Sequence, residues 1–164
     1  MNAIVACDEN WAIGKNGDLL VHLPGDLQYY KEKTVGKHIV IGRKTLESFP
    51  GCKPLPNRQN IVVTGNKEYK KDGCSICYSI DQVMDKLASV PTDEIFISGG
   101  DSIYKQFLPY CDVFYVTHIL AAFTGTDSYF PDISQMDDIK MTWKSDVQEE
   151  KGTRYYFAKY ERIK

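Results

Sequence analysis

Four short runs rich in β-branched residues recur through the first two-thirds of the chain: Ala3-Ile-Val-Ala-Cys7, His38-Ile-Val-Ile41, Ile61-Val-Val-Thr64 and Ile95-Phe-Ile-Ser98. Near-continuous apolar runs of this length suit strands covered on both faces, as in a parallel α/β sheet. Helix candidates lie between them at 24–34, 43–49, 80–88 and 100–108. The third opens Ser79-Ile-Asp-Gln82, with Gln three residues after Ser, the pattern of a capping box. The last third changes character. Val113–Leu120, roughly Met141–Val147 and Arg154–Tyr160 read as long strands, the last alternating through Tyr155, Phe157 and Lys159. Loops with Gly and Pro separate them, including Thr124-Gly-Thr-Asp127 and Phe130-Pro-Asp132. An α/β portion followed by an antiparallel finish predicts one mixed, twisted sheet. With no internal repeat, low-complexity tract or linker, residues 1–164 read as a single domain.

A chain of 164 residues can bury roughly 70% of its unfolded surface. Its 43% apolar and 26% charged content is ordinary for a globular protein, and a formal charge of −2 lacks the basic footprint of a general nucleic-acid binder. The N-terminus, Met-Asn-Ala-Ile-Val-Ala-Cys-Asp, has no basic region and no long apolar core, so it does not read as a signal peptide. No run approaches the ~20 apolar residues of a membrane span, and a cytoplasmic protein is the default expectation. The five cysteines (7, 52, 74, 77 and 111) include the spacing Cys74-Ser-Ile-Cys77, but no second pair or nearby His completes a zinc site. A short strand from Ser75 to Tyr78 carrying small side chains is the expectation there. His22, His38 and His118 lack ligand-like spacing, so no metal is expected.

Three stretches can carry chemistry. In His22-Leu-Pro-Gly-Asp-Leu-Gln-Tyr-Tyr-Lys-Glu-Lys-Thr34, Pro24 suits the first helical turn and Asp26 falls in that turn, where the helix dipole favours a negative charge. Asp26 and Tyr30 share a face, and Leu27, Tyr30, Lys31 and Thr34 continue a helical stripe expected to point inward. A helix-start Asp with no chemical role fits as well. Gly42-Arg-Lys-Thr45 follows a strand and opens a short helix, bringing backbone N–H groups and two cations together as an anion site, although basic residues near loops are common. Ser98-Gly-Gly-Asp-Ser-Ile-Tyr104 again runs from strand to helix; paired glycines admit close approach of a phosphate or ring, or form a plain turn. The segment is not GxGxxG, so the ordinary dinucleotide fingerprint is missing.

Taken together, the chain resembles the dihydrofolate reductase family over nearly its whole length. The resemblance is carried, in order, by Ile13-Gly14, Leu23-Pro-x-Asp-Leu27, Gly42-Arg-x-Thr45, Pro54-Leu-Pro-x-Arg58, Asn60-Ile-Val-Val, Ile97-x-Gly-Gly100 with Tyr104, Phe107-Leu-Pro109 and Tyr115-Val-Thr-His118. It implies an α/β fold with an eight-stranded, mostly parallel mixed sheet, an antiparallel C-terminal strand and four flanking helices, usually as a monomer. It also implies reduction of 7,8-dihydrofolate to tetrahydrofolate with NADPH, and binding of antifolate-like small molecules.

By that resemblance Asp26 is the catalytic carboxylate, a two-point acceptor for the pterin, with Thr117 fixing its orientation. The backbone carbonyls of Ile4 and Ser98 flank the far pterin edge, and Val5 and Tyr104 belong to the same pocket. Leu27, Tyr30, Phe49 and Leu55 enclose the benzoyl ring. Arg58 clamps the glutamate α-carboxylate through its planar fork, with Lys31 or Lys53 assisting electrostatically. For the cofactor, Ala6 and Ile13 hold the nicotinamide carboxamide through their backbones, next to Gly14. Leu19 is the contacting side chain of a lid spanning Asn10 to Leu20. Gly42, Lys44 and Thr45, with a cis Gly99-Gly100 peptide and the helix starting Asp101-Ser102-Ile103, receive the pyrophosphate. Arg43 and Thr64 meet the 2′-phosphate, with Gly65 and Tyr78 beside them.

The chain departs from the family pattern at Leu20-Val21, where Pro-Trp is usual, and at Ser98, where an aliphatic or aromatic residue is usual. Gly65 replaces a residue that often helps bind the 2′-phosphate, which leaves Arg43 as the main selector. A reductase of the riboflavin pathway and a non-catalytic ligand-binding protein are the competing expectations. The Asp26 and Arg58 pair argues against the first, and the lost Trp suggests the second.

Overall fold

The computed structural model describes residues 1–163. Six strands run parallel: β1 (Asn2–Cys7), β3 (His38–Gly42), β4 (Gln59–Val63), β5 (Cys74–Cys77), β6 (Ile95–Ile97) and β7 (Val113–Ile119). β11 (Thr153–Arg162) joins antiparallel to β7, and its far edge takes both β9 (Ile139–Lys144) and β10 (Gln148–Glu150). Across the sheet the order is β5-β4-β3-β6-β1-β7-β11-β10, with β9 continuing the line of β10 along the same edge. The sheet is therefore eight strands wide, mixed and mostly parallel, as the resemblance implies. Four helices flank it: α1 (Pro24–Thr34), α2 (Arg43–Ser48), α3 (Ile80–Lys86) and α4 (Asp101–Phe107).

The β-branched runs are strands because both of their faces are covered. Val40 packs into one core with Ile97, Phe107, Phe114 and Val116, while its neighbours Ile39 and Ile41 pack into a second core with Ile4, Leu46, Val62 and Phe96. All three residues of that Ile-Val-Ile run are fully buried, and each contributes roughly 1.5–3 kcal/mol of transfer free energy. The same holds for β11, where Tyr156, Ala158 and Tyr160 face one core and Tyr155 and Phe157 the other side. The expected alternation through Tyr155, Phe157 and Lys159 thus marks one of two covered faces, with a bulge between Lys159 and Tyr160. The Ser79 hydroxyl accepts from the Gln82 N–H at the start of α3, while the Gln82 side chain accepts from the Tyr78 N–H rather than from the Ser79 amide.

Two details differ from the sequence reading. The strand expected over Met141–Val147 breaks after Lys144. There Ser145 donates its amide to Phe157 and accepts the Phe157 N–H on its hydroxyl oxygen, so a side chain replaces a ladder carbonyl and the strand peels away before β10. The second is a separate two-stranded pair, β2 (Ala12–Gly14) with β8 (Ser128–Tyr129). It tethers the start of the expected lid, and segments so short carry no periodic signal.

Candidate active site

α1 begins as its sequence dictates, with Pro24 at the first helical position and Asp26 in the first turn. Its inward face is not the expected stripe. Asp26, Tyr29, Tyr30 and Lys33 are half-buried and Thr34 is fully buried, whereas Leu27 is 47% exposed and Lys31 is exposed. The helix is rotated toward the Tyr29 side because that ring stacks on Phe157 with centroids 4.0 Å apart. Val21, at the usual Trp position, packs near Leu23, Ile119 and Phe157.

Across from α1, buried Thr117 on β7 donates its hydroxyl to Asp26 Oδ1 at 2.6 Å. Burial holds the Asp26 carboxyl above its usual range; the Thr117 hydrogen bond opposes this and the charge of Glu150 adds to it. Tyr104 donates its hydroxyl to the Ile4 carbonyl at 2.6 Å, using one of that oxygen's two lone pairs. Burial pushes the phenols of Tyr30 and Tyr104 up, with the Ser98 hydroxyl and Arg58 pulling Tyr30 back. Arg58 reaches across to α1, donating to Thr34 Oγ1 at 3.4 Å and lying 6.0 Å from the Tyr30 ring centroid. Phe49 and Leu55 pack with Tyr30 against the second core, and Lys53 is exposed.

On the other side a cleft of about 620 Å³ runs along the C-terminal ends of the parallel strands. In open α/β sheets this is where ligands bind. Every residue expected to hold the cofactor lines it. Ala6 is the penultimate residue of β1; Ile13, Gly14 and Leu19 come from the segment expected to form a lid; Gly42, Arg43, Lys44 and Thr45 come from the β3–α2 turn. Thr64, Gly65 and Tyr78 follow β4 and β5, and Gly99, Gly100, Asp101, Ser102, Ile103 and Tyr104 form the β6–α4 turn. Val5 and Ser98 line it as well. The Gly99–Gly100 peptide is cis, and the Gly42 amide donates to the Gly99 carbonyl at 2.8 Å, drawing the two turns together. Gly99 has φ +108°, and a Cβ there would lie 3.2 Å from the Tyr104 ring. The sequence called for glycine because only a missing side chain allows that approach.

Several residues of consequence gave no usable sequence signal. Asp8, only 2% exposed, accepts from the amides of Asn10, Ala12 and Phe123, which fixes the entry to the lid. Glu47 takes both available oxygens to Arg43 Nη1, at 3.0 and 2.9 Å, so the expected phosphate selector is paired within its own helix. Its i, i+4 spacing was the available clue. Asp18 and Ser128 also line the cleft. Among the described residues no cluster of His, Cys, Asp and Glu could hold a metal, and the five cysteines are free.

The residues fit a phosphorylated dinucleotide: glycine turns for close approach, the Thr45 and Thr64 hydroxyls, and the Arg43 and Lys44 cations lie along one wall. Comparison with known proteins agrees with that chemistry. A family model described as "Dihydrofolate reductase" matches residues 1–162. The dihydrofolate reductase of Bacillus subtilis is 41% identical over 97% of this chain and 92% of its own. That of Staphylococcus haemolyticus is 38% identical over 100% of this chain and 96% of its own. A solved structure, dihydrofolate reductase from Enterococcus faecalis complexed with NADP(H) and RAB-propyl, superposes with a TM-score of 0.86 at 36% identity, covering 99% of this chain and 96% of that one. With the family model spanning residues 1–162 and these relatives 36–41% identical over nearly their whole lengths, the chain belongs to the dihydrofolate reductase family.

Proposed function

We propose that Asp26 is the catalytic carboxylate of an enzyme that reduces 7,8-dihydrofolate to 5,6,7,8-tetrahydrofolate with NADPH. The observation that carries this is a largely desolvated carboxyl in the first turn of α1, oriented by Thr117 and facing Tyr104, which lines the glycine-rich cleft. When bound in the cleft, NADPH supplies the hydride that reaches C6 of the pterin. Ala6 and Ile13 hold the nicotinamide end through their backbones, and Gly42, Lys44, Thr45, Gly99, Gly100 and the start of α4 take the pyrophosphate. Arg43 and Thr64 take the 2′-phosphate once Arg43 leaves Glu47. Tyr30, Phe49 and Leu55 pack the benzoyl ring, with Leu27 covering it from the exposed rim. Arg58 clamps the glutamate tail with Lys31 and Lys53 nearby. The enzyme works as a single-domain monomer and is assigned to the cytoplasm on the family resemblance; no helix among the described residues is long and apolar enough to cross a membrane.

The reaction also needs a proton at N5. The phenols that face Asp26 are poor donors, since burial holds Tyr30 and Tyr104 protonated far above neutral pH and pushes Tyr29 up to about 12. Asp26 grips the opposite side of the pterin, so the proton comes from solvent. The Asp26 anion stabilises the protonated pterin in a low-dielectric pocket. Stopped-flow hydride transfer across pH tests this. Asp26→Asn should be slower by on the order of 10²–10³ near neutral pH and recover as acid protonates the substrate unaided. A variant equally slow at every pH would give Asp26 another role, and one as fast as wild type would remove it from the mechanism. NADPH oxidation by wild type with dihydrofolate tests the competing reading, a protein that binds folate without turnover.

A further inference from the structure

α1 has no capping side chain of its own: Leu23 stands at the N-cap, and Pro24 has no N–H to satisfy. The next amide, Gly25, donates to Glu150 Oε1 at 2.8 Å across 125 residues of sequence. The same carboxylate oxygen accepts the hydroxyl of Tyr155, which is itself 2% exposed. Glu150 and Tyr155 both belong to the hairpin of β10 and β11, where Glu150 pairs with Thr153. A Cβ at Gly25 would overlap both the Tyr155 hydroxyl and the Glu150 carboxylate, so the missing side chain at position 25 is what admits this contact. The residue after Gly25 is Asp26.

We propose that Glu150 is a positioning residue for Asp26, holding the first turn of α1 from the last hairpin and setting the charge against which Asp26 works. The proposal rests on the reading of Asp26 as the catalytic carboxylate. The groups that face Asp26 come from five elements: Tyr29 and Tyr30 on α1, Tyr104 on α4, Thr117 on β7, Glu150 on β10 and Tyr155 on β11. The cations in this region are engaged elsewhere: Lys33 lies over the Tyr29 and Tyr115 rings, Lys159 lies 6.0 Å from the Tyr115 ring centroid, and Arg58 stands beside Tyr30. Burial keeps the Tyr29 and Tyr155 phenols neutral through the physiological range, so they add no charge. The like charge acting on Asp26 comes from Glu150, in the same direction as burial and against the Thr117 hydrogen bond.

Carboxyl carbon NMR of the protein without ligands reads the Asp26 titration directly. Glu150→Gln keeps the size and an acceptor for the Gly25 amide but removes the charge. The Asp26 midpoint should fall by roughly 0.5–1 pH unit, the effect of one like charge across a partly solvated gap. Glu150→Asp keeps the charge and shortens the reach. It should leave the midpoint near the wild-type value while raising the KM for dihydrofolate several-fold with less change in kcat, as the turn loses its anchor. An unmoved midpoint in Glu150→Gln overturns the proposal. Should that variant fail to fold, Glu150→Asp carries the test, and an unchanged KM for dihydrofolate there overturns the proposal too. The hydride-transfer pH profile separates the two readings. If the NMR midpoint moves and the rate profile does not, the coupling stands and the catalytic reading of Asp26 fails.

Discussion

The two walls of the site are made of different materials. Along the ends of β3, β4 and β6, the groups that line the cleft are chiefly backbone and short side chains from Gly42, Thr45, Thr64, Gly99 and Gly100, with the Arg43 and Lys44 cations, which stay charged at ordinary pH, beside them. Along α1 they are long or ionisable side chains: Asp26, Tyr30 and, reached through Thr34, Arg58. A wall of backbone fails when a side chain intrudes and is indifferent to pH. A wall of buried side chains tolerates small steric changes but responds to every change of charge, because low dielectric amplifies it.

Three experiments can break or sharpen that contrast. The largest effect is expected from Gly99→Ala, where a φ of +108° strains any side chain and a methyl group would crowd the Tyr104 ring at 3.2 Å. Strain of this kind costs about 1–3 kcal/mol, so NADPH affinity in a fluorescence titration should drop on the order of 10- to 100-fold. The pH profile of hydride transfer should keep its midpoint; a shifted midpoint would mean that the two walls are not separable. Arg43→Ala should have a smaller effect. It weakens NADPH by roughly 10-fold, the low end for a charged contact, because Glu47 already competes for the guanidinium. NADH should be spared, and Glu47→Gln should tighten NADPH a few-fold. Equal losses for both cofactors would assign Arg43 to the fold or the pyrophosphate.

The smallest effect is on thermal stability. The folded-state pKa of Asp26 is raised above the ordinary 3.8, so its cost to folding is absent below that pH and grows as pH rises through the folded value. Asp26→Asn should therefore raise Tm at pH 7, by about 2–4 °C for each kcal/mol recovered, with the gain vanishing near pH 4. His118, enclosed by Trp11, Tyr156 and Tyr160, has the opposite sign: burial lowers it from 6.5 to about 4. Its stabilising contribution is complete above pH 6.5 and is lost as the pH falls toward 4. His118→Gln should flatten that acid-side loss in a Tm-against-pH series. A slope of the same sign for both residues would refute the burial argument.

The contrast also explains what the sequence disclosed. The backbone wall was legible because its demands are local: strand, glycine, short helix, each written in adjacent residues such as Ile97-x-Gly-Gly100. The strands were legible for the same reason, since an Ile-Val-Ile run buried on both faces has few other places to go. The α1 wall was read only in part. Asp26 stood out from its place in the first helical turn and Thr117 through family resemblance, but the inward face was misjudged at Leu27 and Lys31 because Phe157, far along the chain, decides the rotation of the helix. Glu150 and Asp8 were missed outright. Each works through backbone amides distant in sequence or hidden in a loop, and neither leaves a period or a spacing to read.

The anchoring of α1 also bears on how the protein is made. Both the Tyr29–Phe157 stack and the Gly25–Glu150 contact tie the helix to the final hairpin. The strands β1, β3, β4, β5, β6 and β7, and with them the glycine turns, all precede that hairpin in the chain. During synthesis the glycine turns can therefore assemble while α1 still lacks its two fastenings to Glu150 and Phe157. Asp26, though translated early, can meet Thr117 at that stage but lacks the anchors of its turn until the last strands have left the ribosome. A nascent chain halted before residue 150 would have the glycine-lined cleft but an α1 whose first turn is loosely held, so the two walls would be completed at different lengths of the growing polypeptide.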